Sequence, residues 1–202
     1  MRALIIKTFT AVYSALVFLV RNLCCAKEIA PFTSARFGAI SVEPLSKAYL
    51  AAADNLYAEM NRGARLRLMK VLLSVLGSRF CLLARRTDSN ELVGMAIYYF
   101  NARDRKEGTV HEGYIGLREA ERNLGLGTFI RRHALKNFAR SGLEGVSSRI
   151  SVNNLASLKS NTNLGFVPVE TYLDPSTGEE RHYLVCELRS NSPFHVDKRT
   201  VH

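Results

Sequence analysis

A glycine-rich turn with the residue types that bind anions precedes a helical pattern in the second half of the chain. The turn runs from Arg122 to Gly127 as Arg-Asn-Leu-Gly-Leu-Gly, and the helical pattern begins at its last glycine. Glycine allows unusual φ angles and close approach of the backbone, and the first N–H groups of a helix have no partner within it. The helix dipole adds partial positive charge, so the turn could hold a phosphate. A plain helix start, with glycines that permit tight packing, is the alternative.

The turn matches neither of two common phosphate-binding patterns. No Gly-Lys-Ser/Thr follows it, as a Walker A loop requires, and Ile130 stands where the dinucleotide fingerprint has its third glycine. The elements around the turn must therefore decide what it binds.

Sequence patterns alternate in type around the turn, which indicates a mixed α/β fold. From residue 38 to 189 the predicted order is strand, two helices, three strands, helix, strand, helix and two strands. This order predicts a central sheet covered by helices, with a parallel crossover at the helix that follows the turn. Residues 1–30 are apolar and form a separate segment, and the polar tail 190–202 is predicted to be loose.

The apolar N-terminal segment has three open interpretations. Its polar residues would form one narrow stripe on a helix: Lys7, Thr8, Ser14, Arg21 and Asn22. The helix could pack on the domain or on a second subunit as a homodimer, or lie in a membrane interface through residues 1–26. A signal peptide or spanning helix is less favoured, because the apolar part is short and interrupted and no clear small-X-small cleavage site follows.

Charge and cysteine usage narrow the partners and the compartment. Lys and Arg number 28 against 18 Asp and Glu, which makes a formal net charge of +10 and favours an anionic partner. No recognition motif accompanies this charge, so no specific nucleic acid partner is expected. The four cysteines form no Cys-X-X-Cys pair, so no metal site is predicted. A cytoplasmic location fits best, with peripheral attachment to the inner face of a membrane as the alternative.

Two motifs resemble the signatures of the GNAT superfamily of acyl-CoA-dependent N-acyltransferases. The turn resembles the family's Arg/Gln-X-X-Gly-X-Gly/Ala motif. The stretch VNNLASLKSNTNLGFVPV resembles its second signature, with Asn154 opening a helix, Ser157 as the small residue three positions later, and Gly165-Phe166 beginning the next strand.

The resemblance covers about residues 38–189 and implies a fold and a co-substrate. The implied fold is a GNAT-type mixed, mostly antiparallel central sheet of about six to seven strands flanked by helices, with the N-terminal apolar helix as an addition. The implied co-substrate is an acyl-CoA, most often acetyl-CoA, without a metal.

The resemblance also implies how the acyl-CoA would bind. The pyrophosphate would lie on the N–H groups of the turn, and the pantetheine arm would follow the strand Tyr114 to Leu117, where this strand splays from RISV. One N–H group of this strand would stabilise the oxyanion. The predicted cofactor-binding residues are Ile115, Gly116, Leu117, Arg122, Asn123, Leu124, Gly125, Leu126, Gly127, Thr128, Asn154, Ser157 and Asn161.

A general base or a water chain must remove a proton from the attacking amine. Glu112 and His111 lie on the strand that leads into the site, and at most one of them can face the cleft, because successive strand residues face opposite sides. The resemblance favours an acid here, so Glu112 is the first candidate. An exposed or ion-paired residue at a strand edge is the alternative, and His182 is a weaker candidate.

The proton donor for the leaving thiolate departs from the family pattern. Many members have a Tyr four residues before the Gly of Gly-Phe, and this chain has Asn161 there. An amide can hydrogen-bond the sulfur but cannot supply the proton as a phenol does. Tyr172, Tyr183 or water would then replace it, or the chain is a non-catalytic acyl-CoA-binding relative.

The acceptor is only weakly indicated. The junction of the first two helices of the domain carries four basic residues: Arg62, Arg65, Arg67 and Lys70. They form either a solvated face or a site for an acidic or phosphorylated acceptor. The expected activity is transfer of an acetyl group from acetyl-CoA to a primary amine of a small molecule or peptide. A longer-chain N-acyltransferase at the membrane is the alternative enzyme.

Overall fold

A computed structural model describes residues 2–189, with side chains from Phe9 onward. Its α-helices are α1 Arg2–Cys25, α2 Leu50–Met60, α3 Leu68–Phe80, α4 Ala102–Glu107, α5 Leu126–Phe138 and α6 Leu155–Thr162. Its strands are β1 Ala35–Phe37, β2 Ile40–Pro44, β3 Cys81–Arg86, β4 Leu92–Tyr99, β5 Thr109–Leu117, β6 Gly145–Ser151, β7 Val167–Leu173 and β8 Glu180–Glu187. The predicted loose tail lies outside the described residues.

The strands form one sheet in the order β1-β2-β3-β4-β5-β6-β8-β7. Every neighbouring pair is antiparallel except β5 and β6, which α5 connects as a parallel crossover. The predicted mixed, mostly antiparallel sheet is thus confirmed. It has eight strands rather than six to seven, because a three-residue β1 pairs with β2 and is too short to show an alternating pattern.

The sequence patterns also do not indicate α4, which has only six residues and no apolar repeat. Its ends are set by local hydrogen bonds instead. The Asn101 side chain accepts from the Arg103 and Asp104 N–H groups, and Asp104 completes a capping box. Gly108 ends the helix in the left-handed conformation.

β5 and β6 separate half-way along their length, which opens the sheet. They pair from Thr109 opposite Gly145 to Glu112 opposite Ser148. Beyond that point β5 continues to Leu117 beside β4 alone, while β6 continues beside β8 alone. Alternate N–H and C=O groups of β5 therefore face the gap and are available to a ligand.

Gly113 forms a β-bulge where the two strands separate. The pairing with β4 skips this residue, and a Cβ on it would overlap the Tyr99 ring. Residues two apart on a regular strand share a face, but the bulge places Glu112 and Tyr114 on opposite faces. Glu112 contacts α5, whereas the Tyr114 ring packs on Tyr57 of α2 with ring centroids 4.8 Å apart.

Aromatic rings pack helices onto both faces of the sheet. On one face Tyr98 contacts Phe138 of α5 at 5.0 Å between centroids, and Phe32 at 5.9 Å. On the other face Phe18 of α1 contacts Tyr99 at 5.5 Å. The helix that follows the glycine turn and the apolar N-terminal helix therefore lie on opposite sides of the sheet.

α1 turns Asn22 inward and much of its apolar surface outward. Asn22 is fully buried, its Nδ2 donates to the Phe100 carbonyl oxygen at 3.0 Å, and its Oδ1 accepts from the Phe100 N–H at 2.7 Å. The large apolar side chains that remain 44% to 74% exposed are Phe9, Val12, Tyr13, Leu16, Val20 and Leu23. By length and composition Phe9–Glu28 could also span a membrane. Packing on the domain is thus observed, but only for the face that carries Asn22.

Candidate active site

The glycine turn presents free N–H groups at the start of α5. Asn123 and Gly125 both have positive φ angles, 61° and 88°. Gly125 caps the helix, and its carbonyl oxygen accepts the first intrahelical bond from the Phe129 N–H at 2.9 Å. The N–H groups of residues 126–128 precede that bond and have no partner within the helix. The turn thereby has the features of an anion site.

A cavity of about 750 Å³ lies between this turn, β5 and α6. We call it the first cavity. It is within the size range of small-ligand sites, roughly 300–1,000 Å³. Ten of the predicted cofactor-binding residues line it: Ile115, Gly116, Leu117, Arg122, Asn123, Gly125, Gly127, Thr128, Asn154 and Ser157. The two motifs, about 30 residues apart in the sequence, therefore meet at one site.

The other three predicted cofactor-binding residues do not line the first cavity. Leu124 is 63% exposed and Leu126 is buried, so only their backbone groups are available to a ligand. Asn161 is fully buried, and its Nδ2 donates to the Ser157 carbonyl oxygen at 2.9 Å. The backbone carbonyl oxygen of Asn161 accepts a hydrogen bond from the Phe166 N–H at 3.2 Å, which connects the end of α6 to the start of β7. Asn161 therefore has a packing role, and its contact with a cofactor stays a prediction.

A second cavity of about 330 Å³ lies in the gap between β5 and β6. It is lined by Gly113 at the bulge and by Ser148 to Ser151 of β6. Residues that line both cavities join them: Tyr114, Ile115, Arg131, Asn154 and Ser157. The two cavities therefore adjoin, and we call them together the channel, which extends from the helix N-terminus to the opening in the sheet.

Glu112 lines the second cavity but is held in a buried ion pair. Both of its carboxylate oxygens lie 3.0 Å from Arg131 Nε, and the two side chains are 3% and 5% exposed. Protonation of Glu112 would leave the guanidinium buried without its counter-ion, which is costly. The geometry therefore disfavours Glu112 as the group that accepts the proton directly.

The same guanidinium fixes the wall of the first cavity. Arg131 Nη1 donates to Ser160 Oγ at 2.9 Å and Nη2 to Ser157 Oγ at 3.2 Å. Ser160 Oγ also bonds Thr128 Oγ1 at 3.0 Å. Arg131 thus links β5, α5 and α6, and it holds the two motifs at a set separation.

His111 and Tyr183 lie together on the other face of the sheet and line none of these cavities. Ser147 Oγ donates to Asp104 Oδ1 at 2.6 Å, so the 2.8 Å contact of His111 Nδ1 with Ser147 Oγ assigns the proton to Nδ1. Burial lowers the pKa of His111 to about 4. Burial and the Asp104 carboxylate raise the pKa of the Tyr183 phenol, which shares its proton between Asp104 at 3.3 Å and Glu107 at 3.2 Å. The hydrogen bonds of His111 and Tyr183 thus connect β5, β6 and β8 to α4, away from the two cavities.

The sequence patterns do not identify several side chains of the channel, among them Asn61, Tyr114, Arg131 and Ser160. Tyr114 accepts a hydrogen bond from Asn61 Nδ2 at 2.9 Å, and burial raises the pKa of its phenol. Its place on the splayed part of β5 is a usable signal in the sequence. A strictly alternating pattern, however, assigns its side chain to the wrong face of the sheet, because such a pattern does not include the bulge at Gly113. Arg131 looks like part of a solvated basic helix surface until the carboxylate of Glu112 is placed beneath it.

Positive charge lies at the rim of the first cavity and also in the predicted acceptor region. Arg122 donates from Nε to the Leu117 carbonyl oxygen at 3.1 Å, which holds it at the rim, and Lys159 is also on the wall. In the acceptor region, by contrast, Arg65 and Lys70 lie 3.5 and 3.0 Å from Asp54 Oδ2. Two of the four predicted basic residues therefore share one carboxylate, which offsets a single positive charge of the cluster.

Comparison with known proteins agrees with this geometry. The family model of the GNAT acetyltransferases matches residues 50–166, which is more than half of the chain. The chain therefore belongs to the GNAT acetyltransferase family. Among proteins of curated function, none matches it significantly in sequence.

Solved structures of similar fold include acetyltransferases with bound cofactor. A chain of the NatC complex bound to Gag peptide and CoA has a TM-score of 0.64 at 14% identity, over 74% of this chain and 99% of that one. The acetyltransferase yncA from Salmonella typhimurium, with acetyl-CoA, has a TM-score of 0.64 at 16% identity, over 77% and 97%. Arabidopsis thaliana Naa50, in complex with the bisubstrate analogue CoA-Ac-MVNAL, has a TM-score of 0.61 at 15% identity, over 73% and 97%.

Proposed function

We propose that the chain transfers an acetyl group from acetyl-CoA to a primary amine. The observation that carries this proposal is the channel that runs from the N-terminus of α5 to the gap between β5 and β6. The free N–H groups of residues 126–128, with Arg122 and Lys159 at the rim, suit a pyrophosphate. The exposed edge of β5 suits the amide-bearing pantetheine arm, because its free N–H and C=O groups can pair with amides. Structures of the same fold that contain CoA or acetyl-CoA support this assignment.

The reaction needs an oxyanion donor, an aligned amine and two proton transfers. Coenzyme A would supply the activated thioester. The amine nitrogen attacks the carbonyl carbon, the C–N bond forms, the C–S bond breaks, and the thiolate takes up a proton. A free N–H group of Ile115 to Leu117 would stabilise the charge that develops on the carbonyl oxygen. Because Glu112 is paired with Arg131, water at the open end of the channel is the better route for the proton of the amine.

Tyr114 is the best placed phenol to protonate the thiolate. It lines both the first and the second cavity, whereas Tyr183 lines neither. Burial raises its pKa from an ordinary value of about 10, so the phenol carries its proton at neutral pH. The Asn61 amide donates to its oxygen at 2.9 Å and would stabilise the phenolate after the transfer.

The test is release of free thiol from acetyl-CoA and from octanoyl-CoA with a panel of primary amines. We expect acetyl-CoA to be used with at least one amine, and mass spectrometry to show the acetylated product. CoA binding without turnover on any amine would contradict the proposal and favour a non-catalytic relative. A clear preference for octanoyl-CoA would favour the longer-chain enzyme instead.

The outward apolar face of α1 favours a second feature, attachment to an anionic membrane. The helix exposes Phe9, Val12, Tyr13 and Leu16, and the chain has a formal net charge of +10. Deleting α1 would remove the buried Asn22, so substitution of exposed residues is the cleaner probe. The double variant Val12→Glu with Leu16→Glu should lose binding to vesicles that contain phosphatidylserine.

The matched control for this membrane test is Leu173→Glu, an apolar residue of β7 that is 68% exposed and far from α1 in the sequence. Equal vesicle binding by both variants, or no binding by the unaltered chain, would contradict attachment. A dimer in light scattering that the double variant abolishes would assign this face to a second copy. A cytoplasmic location remains a prediction.

A further inference from the structure

A third cavity, of about 450 Å³, lies on the sheet face opposite to α5. It is lined by residues of α1, α2, α3, the segment that connects α2 to α3, β4 and β5, and by Asn101 before α4. Its wall is mainly aromatic and aliphatic, with Phe18 from α1, Tyr57 from α2, Leu68 and Met69 from α3, and Tyr99 from β4.

The third cavity meets the channel where the chemistry would take place. Tyr114 lines all three cavities, and Gly113 lines the second and the third. A group held in the third cavity would therefore lie beside the β-bulge, at the end of the channel that is remote from the glycine turn. An acceptor amine has to approach from such a place.

The polar atoms of the third cavity constrain what it can hold. None of the described residues that line it is an Asp or a Glu, and the Arg65 guanidinium donates to Asn55 Oδ1 at 2.6 Å. Asn101 uses its Oδ1 to accept from the Arg103 and Asp104 N–H groups, and its Nδ2 is buried without a partner among the described residues. That nitrogen has almost no surface open to the cavity, so it does not select a ligand, and the wall that a ligand would meet is mainly apolar.

We propose that the third cavity binds the apolar side chain of a primary-amine acceptor, as in a peptide with an apolar N-terminal residue. The aromatic and aliphatic wall takes the side chain. Phe18 makes the N-terminal helix part of the acceptor site. The inference rests on the proposed acetyl transfer and specifies its substrate class.

The experiment compares short peptides that differ only in their first residue, with saturating acetyl-CoA and the full-length chain. Peptides that begin with Leu, Phe or Met should have kcat/KM at least roughly tenfold above those that begin with Ser, Asp or Lys. The reason is that an apolar side chain gains free energy when it moves from water into the apolar cavity.

Three variants locate the effect. Phe18→Ala and Met69→Ala, on different helices, should each raise KM for the Leu peptide roughly tenfold and leave the affinity for CoA unchanged. The control is Val75→Ala, a 65% exposed apolar residue of α3 that does not line the cavity.

Each outcome decides the inference. Equal use of apolar and polar first residues, or equal effects of Phe18→Ala and Val75→Ala, would overturn it and leave acetyl transfer intact. Absence of turnover with every amine, despite CoA binding, would overturn both the inference and the proposed function.

Discussion

Replacing Glu112 with Gln tests whether its carboxylate has a structural role or a catalytic one. The carboxylate and the Arg131 guanidinium are 3% and 5% exposed, so the substitution leaves a buried cation without its counter-ion. Removal of one partner of such a pair costs about 3–5 kcal/mol. Gln keeps one carbonyl acceptor for Arg131 Nε, so we expect the lower end, about 3 kcal/mol of the free energy of unfolding. For a chain of this size that lowers the melting temperature by about 6–12 °C.

The effect on activity follows from the contacts of Arg131 rather than from proton transfer. Arg131 also donates to Ser157 and Ser160, which position α6 against the first cavity. A loosened guanidinium should therefore weaken CoA binding in calorimetry and lower kcat modestly at a temperature where the variant is folded. If Glu112 were the general base, its replacement would instead lower kcat by about 10²–10⁴.

The control for Glu112→Gln is Glu170→Gln, which breaks the exposed pair with Arg103. Those side chains are 47% and 36% exposed, so we expect a loss of at most about 1 kcal/mol. If Glu112→Gln shifts the melting temperature no more than Glu170→Gln does, yet abolishes turnover, then the buried-pair account is refuted and Glu112 is the base.

Three further predictions concern the turn, the proton donor and the buried histidine. Gly125→Ala should cost about 1–2 kcal/mol because its φ is 88°, whereas Gly127→Ala, whose new methyl meets only Leu117 at 3.6 Å, should stabilise α5 by up to about 1 kcal/mol in urea unfolding. Tyr114→Phe should lower kcat roughly 100-fold with little change in CoA affinity, and an unchanged kcat would rule out its role as proton donor. Burial lowers the pKa of His111 to about 4, so the folded protein keeps this imidazole neutral while the unfolded chain protonates it near pH 6.5. The free energy of unfolding should therefore fall as pH drops from about 6.5 to 4. In His111→Gln this part of the pH dependence should disappear from thermal unfolding curves.

Local features of the site could be predicted from the sequence because they depend on neighbouring residues. The turn from Arg122 to Gly127 and the start of α6 at Asn154 each have a signature within a few positions. The crossover from β5 through α5 to β6 follows from element order. Together these predictions place ten residues on one cavity wall without any knowledge of side-chain packing.

Features that depend on a single extra residue could not be predicted in this way. Gly113 is unremarkable in an alternating pattern, yet as a bulge it moves Tyr114 to the face opposite Glu112. The same strand therefore supplies a buried partner for Arg131 on one side and a phenol for the channel on the other. The assignment of catalytic roles by alternation alone fails for that reason.

The N-terminal helix shows the same limit on a larger scale, and its orientation has a consequence for function. A periodic pattern tells which residues of a helix share a face, but not whether that face meets water, protein or lipid. Here the buried face includes Asn22, which satisfies both backbone groups of Phe100 at the end of β4. One turn earlier Phe18 packs on Tyr99 and lines the third cavity. A contact that shifts α1 at its exposed face would therefore act directly on the wall of the proposed acceptor site, so membrane attachment and acceptor binding should be energetically coupled. Vesicles with phosphatidylserine should then change KM for the Leu peptide, and Val12→Glu with Leu16→Glu should abolish that change.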